Sequence, residues 1–155
     1  MKKPYGEDDL YRELERDEGF RAEPYLDTVN QWTIGIGRNL SSKGLSREEL
    51  LYLFDHQPMT HDFALYLLKR DVEQIDAALY SALPWYRGLD DVRQGVLLNM
   101  GMMGVGRLLG FKRMLAAMEN EDWETAAREL LDSKYARQVG ARAERLAERL
   151  RDGKA

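Results

Sequence analysis

The chain has 155 residues, with 23 Lys or Arg against 27 Asp or Glu and a formal charge of −4, and its isoelectric point is near 5.3. A net acid of this kind has no broad electrostatic attraction for nucleic acid or anionic lipid. There is no cysteine, which excludes disulfides, thiolate nucleophiles and thiolate metal ligands.

This length suits one ordinary domain, or two small lobes sharing a core, that folds without staples. In "MKKPYGEDDLYRELERDEGF" two lysines are followed by acids rather than by an apolar stretch, so no signal peptide is expected. No apolar run approaches the ~20 residues of a membrane span, so the expectation is a soluble protein with no membrane insertion, made in a reducing cytosol.

The first predicted element is a short helix over 8–18, capped by Asp8 or Asp9, with Leu10, Tyr11 and Leu14 on one face and Gly19 as terminator. Glu18 falls in its last turn. From 21 to about 36 the period changes to two, with aromatic and β-branched residues on both sides of Val29-Asn30-Gln31. This predicts a β-hairpin whose exit is punctuated by Gly35 and Gly37.

Ser46 and Glu49 form a capping-box signature. A long stripe of Ala64, Leu68, Val72, Ile75 and Leu79 then predicts a helix over 60 to about 80, roughly 30 Å long. Four further helical patterns cover 90–100, 107–118, 122–131 and 141–150, with the short connectors of a helical bundle. Residues 128–155 hold eight basic against five acidic side chains, a local excess within an acidic chain.

Three polar residues in the opening third can do chemistry together. If the hairpin turns symmetrically about Asn30, positions whose numbers sum to sixty face one another, and Asp27 lies opposite Thr33, with Cβ atoms about 4.5–5.5 Å apart. A carboxylate and a hydroxyl so placed can share one water, the first accepting its proton and the second fixing its orientation. Glu18, at the carboxyl end of a helix, meets the negative end of the dipole, which favours its protonated form and suits it to general-acid work. Two carboxyl groups in different environments are what glycoside hydrolysis requires. On spacing alone the commoner reading stays open: two surface acids and a strand-forming threonine.

"DEGFRAEPYLDTVNQWTIGIG" resembles the catalytic signature of the phage-type lysozymes, endolysins related to the lysozyme of the T-even bacteriophages. In that pattern Glu, Asp and Thr are separated by eight and five residues and followed by Gly-x-Gly. Glu18, Asp27, Thr33, Gly35 and Gly37 match each position. The similarity extends through "GLDDVRQGVLLNM", "DWETAARELLDSKYARQ" and the Arg-rich last helix.

The resemblance implies a mainly α (α+β), two-lobed lysozyme-like fold. A small hairpin lobe (about 19–59) and a helical lobe (about 81–155, with the N-terminal helix 8–18) are joined by a connecting helix over about 60–80, and the glycan lies in the cleft. It also implies an inverting muramidase that cleaves the β-1,4 bond between N-acetylmuramic acid and N-acetylglucosamine, with Glu18 as proton donor, Asp27 as base and Thr33 as positioner of water. Arg142 matches an arginine beside the acid, and Arg145 one that pairs with the preceding acid, here Asp17. An arginine beside Glu18 would favour its ionised form, opposing the dipole. Met103 falls near a position where relatives place Gln or Asn toward the sugar, and Arg38 stands where they often have His, so a cation remains but its titration near neutral pH is lost.

No cofactor and no metal are expected. His56 and His61 flank Pro58 without the helical Glu-containing pattern of a zinc site, and the glycines after Ile34 break the dinucleotide fingerprint. Trp32, Trp85 and Trp123 lie in or beside apolar stripes and are expected to pack inside rather than stack on sugar. The expected partners are peptidoglycan glycan strands and, indirectly, a holin that lets a monomeric phage or prophage enzyme pass from the host cytoplasm to the wall. A lytic transglycosylase, which needs no water-activating carboxylate, and a non-catalytic wall-binding phage protein are the alternatives.

Overall fold

The computed structural model describes residues 6–56 and 58–155. It is mainly helical, with one small antiparallel sheet. Helix α1 (Glu7–Glu18) starts earlier than the caps at Asp8 or Asp9 would place it. Asp9 instead reaches back, its Oδ2 accepting the Gly6 amide at 2.8 Å. Gly19, at φ +74°, ends the helix as expected, donating to the Glu15 carbonyl.

The hairpin is part of a three-stranded sheet: β1 (Arg21–Leu26), β2 (Trp32–Gly35) and β3 (Arg38–Asn39), in that order. A two-residue strand is too short to show a period, which is why β3 escapes a pattern reading. The turn between β2 and β3 needs Gly35 and Gly37 at φ +67° and +72°. A Cβ on Gly35 would lie 2.8 Å from the Met59 sulfur, so the chain folds tightly here onto the segment that leads into α3.

Ser46 and Glu49 form the expected capping box of α2 (Arg47–Asp55), each side chain accepting the other's backbone amide. Helix α3 (His61–Ala82) is capped by Thr60, whose hydroxyl accepts the Phe63 amide at 3.1 Å. Beyond a 3₁₀ turn (Tyr86–Gly88) follow α4 (Asp91–Gly101), α5 (Val105–Leu109), α6 (Lys112–Glu119), α7 (Trp123–Leu131), α8 (Lys134–Val139) and α9 (Ala141–Asp152).

The single helix expected over 107–118 is thus two, because Gly110 closes α5 and Phe111, at ψ 59°, swings the chain out before α6. Helix α8 is an addition to the expected set. Capped by Ser133 and separated from α9 by Gly140 at φ +56°, it has six residues, fewer than two turns.

The chain divides into two compact units: Tyr11–Glu73, and Gln74–Ala155 with the described residues up to Leu10. Within the smaller unit Leu14, Ile34, Ile36, Phe63, Leu67 and Leu68 are buried. The larger unit has a continuous core running from Ile75 and Leu79 through Leu97, Met100 and Leu130 to Leu146 and Leu150. Helix α7 supplies much of it, packing on α6 and α9. Among the described residues no helix is long and apolar enough to cross a membrane.

Candidate functional site

The sequence-predicted residues Glu18, Asp27 and Thr33 all belong to the smaller unit. The strand register differs from the expected one. Tyr25 pairs with Thr33 and Leu26 with Trp32, so partner numbers sum to 58, and beyond an irregularity Arg21 pairs with Gly35. Tyr25, not Asp27, faces Thr33.

The cause lies in the turn. The Asp27 amide donates to the Gln31 carbonyl at 2.9 Å, and the Asn30 amide to the Asp27 carbonyl at 3.1 Å. Asn30 takes the left-handed conformation at φ 60°. This is a three-residue loop closed by a left-handed residue, centred on Val29 rather than Asn30. The carboxylate locks it, since Oδ1 of Asp27 accepts the amides of Val29 and Gln31, both at 2.9 Å.

A shift of two in the pairing sum leaves side chains on their original faces, because a strand alternates with period two. Asp27 therefore remains on the same face as Thr33, as its diagonal rather than direct neighbour, about 7–8 Å away along the backbone. Next to the turn burial follows that alternation: Tyr25 and Asp27 are half-buried and Thr33 is buried, while Leu26 and Trp32 on the other face are 51% and 50% exposed; further along β2, Ile34 on that other face is buried too. Trp32 therefore does not pack inside as expected, whereas Trp85 and Trp123 pack against the large core.

Two details bear on chemistry. The Thr33 hydroxyl donates to the Gln31 carbonyl at 3.1 Å, so its lone pairs point elsewhere. Both hydrogen bonds from described residues to the Asp27 carboxylate fall on Oδ1, which leaves Oδ2 as an acceptor. Glu18 ends α1 and lies flat against the β2–β3 turn: a Cβ on Gly37 would sit 2.9 Å from both Cγ and Oε2 of Glu18. Only glycine leaves that space, and only glycine takes φ +72° without strain.

Tyr25 is a member of this group that the spacing argument passed over. Burial, then the charges of Glu18 and Asp27, raise its phenol above the ordinary value of 10.0, with Arg21 opposing. The Arg21 guanidinium lies over the ring, 4.6 Å from its centroid. The signal that could have found it is its place two residues before Asp27, which puts it on the same strand face.

Arg38 is 2% exposed. Its Nη1 and Nη2 donate to the two oxygens of Glu49 at 3.1 and 3.0 Å, its Nε to Asp71 Oδ2 at 3.1 Å, and Nη1 also to the Gly44 carbonyl at 3.1 Å. Lys43 adds a second cation to Asp71. Burial opposes the Arg38 charge, but the bonds to Glu49 and Asp71 outweigh it and raise its pKa. Burial likewise opposes the Glu49 carboxylate, yet Arg38 and Ser46 hold it down at about 2. Arg38 is thus the hub of an ion cluster inside the smaller unit, with all its bonds directed to protein.

The remaining sequence-predicted residues belong to the larger unit. On α9, Arg142 donates from Nε to Asn99 Oδ1 at 2.9 Å, and Arg145 is half-buried immediately before the core residues Leu146 and Ala147. Met103 follows α4 and lines a cavity of about 610 Å³ with Arg107, Phe111, Lys134, Tyr135 and Gln138. His61 pairs with Glu15, and His56 Nδ1 lies 2.8 Å from the Tyr52 carbonyl. Among the described residues no group of three or more His, Cys, Asp or Glu could hold a metal ion.

Comparison with known proteins gives one family and several relatives. The family model described as phage lysozyme matches residues 15–152. The chain is 34% identical over 151 residues to the pre-baseplate central spike protein Gp5 of Enterobacteria phage T4, an alignment covering 86% of this chain and 26% of that protein. It therefore spans about a quarter of the length of that relative. Probable T4-type lysozyme 1 of Dictyostelium discoideum is 28% identical over 149 residues, and probable T4-type lysozyme 2 is 29% identical over 153, with 86% of this chain and 88% of each relative covered.

Proposed function

The chain belongs to the phage lysozyme family, a family of muramidase-type cell-wall hydrolases, and from that premise we propose that it cleaves the β-1,4 bond between N-acetylmuramic acid and N-acetylglucosamine by direct attack of water. Glu18 donates a proton to the leaving oxygen. Asp27 is the base.

The observation that carries this reading is the pattern of used and unused acceptors on one sheet face. The Thr33 proton is engaged by Gln31 and the Asp27 Oδ1 by two amides. A water between them can donate one hydrogen to Asp27 Oδ2 and the other to Thr33 Oγ1. Its lone pair is then left to face an anomeric carbon, and Asp27 takes the proton as the C–O bond forms. Such a water inverts the anomeric centre. A lytic transglycosylase would have no use for this pair.

The same reading makes the protein a monomeric endolysin of a phage or prophage, which accumulates in the host cytoplasm and reaches glycan strands after a holin opens the membrane. Purified sacculi treated with the protein and analysed by mass spectrometry test the reaction: reducing-end muropeptides are expected, and 1,6-anhydro products would overturn it. Glu18→Gln should lower release by at least the ~10²- to 10⁴-fold typical of a lost general acid. Proton NMR of the first-formed anomer tests inversion.

A further inference from the structure

We propose that two copies of this chain pair reversibly through the outer face of α2, antiparallel about a two-fold axis at Leu51. The inference goes beyond the reaction proposed above and does not depend on it.

An ordinary surface helix turns its apolar stripe inward and its charges outward. Helix α2 does the reverse. Its inward residue is Glu49, buried and bonded through both oxygens to Arg38. Its outward residues are Leu50, Leu51 and Phe54, which are 55%, 56% and 74% exposed. At 3.6 residues per turn these three, with Arg47 one turn before them, fall within one stripe about 100° wide. The buried guanidinium is the cause: it needs a carboxylate, and taking one from position 49 leaves 50, 51 and 54 on the far side. The capping box at Ser46 and the stacking of Tyr52 on Phe63, ring centroids 4.4 Å apart, hold the helix in that orientation.

The exposed parts of the three side chains leave roughly 300 Å² of apolar surface in one strip, as large as the main patch of many monomers. Two such strips with their polar edges cover on the order of 1,000 Å² in total, the size of a weak, transient contact. The order of charges along the helix selects a second copy as the occupant. Arg47 and Asp55, both exposed, lie four residues on either side of Leu51. Antiparallel pairing about Leu51 therefore sets Arg47 of each copy against Asp55 of the other, one ion pair at each end of an apolar centre. Parallel pairing would set like against like. A membrane fits less well, since the exposed charges of α2 are Glu48 and Asp55 against the single Arg47, and anionic lipid repels a net acid. The monomer of the reading above is the form present at working dilution, and the pair forms where the chain is concentrated.

Sedimentation equilibrium of the whole chain tests this. The mass should pass from monomer to dimer with a dissociation constant of about 0.1 mM, within roughly tenfold. Leu51→Glu sets two like charges at the axis and should keep the protein monomeric up to ~1 mM. Arg47→Asp and Asp55→Arg should each weaken pairing by about tenfold. The double exchange, which restores opposite charges in the antiparallel arrangement, should return it to within about threefold of the parent. None of these residues belongs to the site above, so release of reducing ends by dilute protein should match the parent in every variant. The association is read without turnover, so failure of the muramidase reading would leave it standing. A parent that stays monomeric at ~1 mM, a mass that grows past the dimer, pairing indifferent to Leu51→Glu, or a double exchange that restores nothing would each overturn the inference. So would binding to phosphatidylglycerol vesicles that Leu51→Glu abolishes, with no dimer in solution.

Discussion

Asp27 and Glu49 are carboxylates of the same unit used in opposite ways. Glu49 is 4% exposed, with both oxygens bonded to Arg38 and one also to the Ser46 amide, so neither oxygen is left unbonded for anything that arrives from solvent. Asp27 is half-buried, and its two bonds fall on one oxygen. The first acid is fully committed to holding β3 to α2. The second is fixed in place through one oxygen, and its other oxygen is the one the proposed mechanism uses. Whether one carboxylate oxygen is left unbonded separates the two acids better than burial or proximity does.

The largest effect should come from Asp27→Asn. Its side-chain oxygen can still accept the Val29 and Gln31 amides, so the turn survives, but the proposed base is gone. Release of reducing ends should fall by ~10²-fold or more while the melting temperature stays near that of the parent. A large loss of stability would place Asp27 with Glu49 as a structural acid. Arg38→Met is the converse: it leaves Glu49 and Asp71 buried without their shared cation, and removal of one partner from a buried pair costs about 3–5 kcal/mol. Chemical denaturation should show that loss, with specific activity of the remaining folded protein preserved.

Much of this contrast was legible in the sequence. The spacing of Glu18, Asp27, Thr33, Gly35 and Gly37 marks the family, and the capping box at Ser46 marks the start of α2. The register was not legible, because the centre of the hairpin is chosen by two amide bonds to the Asp27 side chain and by a left-handed Asn30, terms that a symmetrical turn ignores. That error of two residues kept Asp27 on the right face but hid Tyr25. The Arg38 cluster was foreseeable only as some ion pair, since its partners lie 11 and 33 residues further on and nothing local links them. Trp32 was misread because an apolar stripe does not say which face of a two-sided strand is covered.

A smaller effect joins the two regions, since Gly37 precedes Arg38 and carries Glu18. Gly37→Ala should cost about 1–2 kcal/mol for a side chain at positive φ, and its Cβ would displace Glu18, which lies 2.9 Å away. Turnover should therefore drop beyond what the stability loss explains. Acid titration sharpens the Glu49 half. Its folded value of about 2 lies below the ordinary 4.5, so its contribution is present above 4.5 and disappears as pH falls toward 2. The stability gap between the parent protein and Glu49→Gln should accordingly be widest at neutral pH and narrow over that interval.

The smallest effect is the one that tests the turn itself. Asn30 sits at φ 60°, a conformation that asparagine tolerates and glycine adopts freely. Asn30→Gly relieves what strain there is in the folded chain but adds freedom to the unfolded one, and the two terms, each about 0.4–1 kcal/mol, oppose each other. Stability should stay within about 0.5 kcal/mol of the parent, and because the Asp27 carboxylate rather than the Asn30 side chain makes the closing bonds, activity should be retained. A marked fall in kcat with Asn30→Gly would mean that the Asn30 side chain, and not the Asp27 amide bonds alone, sets where Oδ2 points.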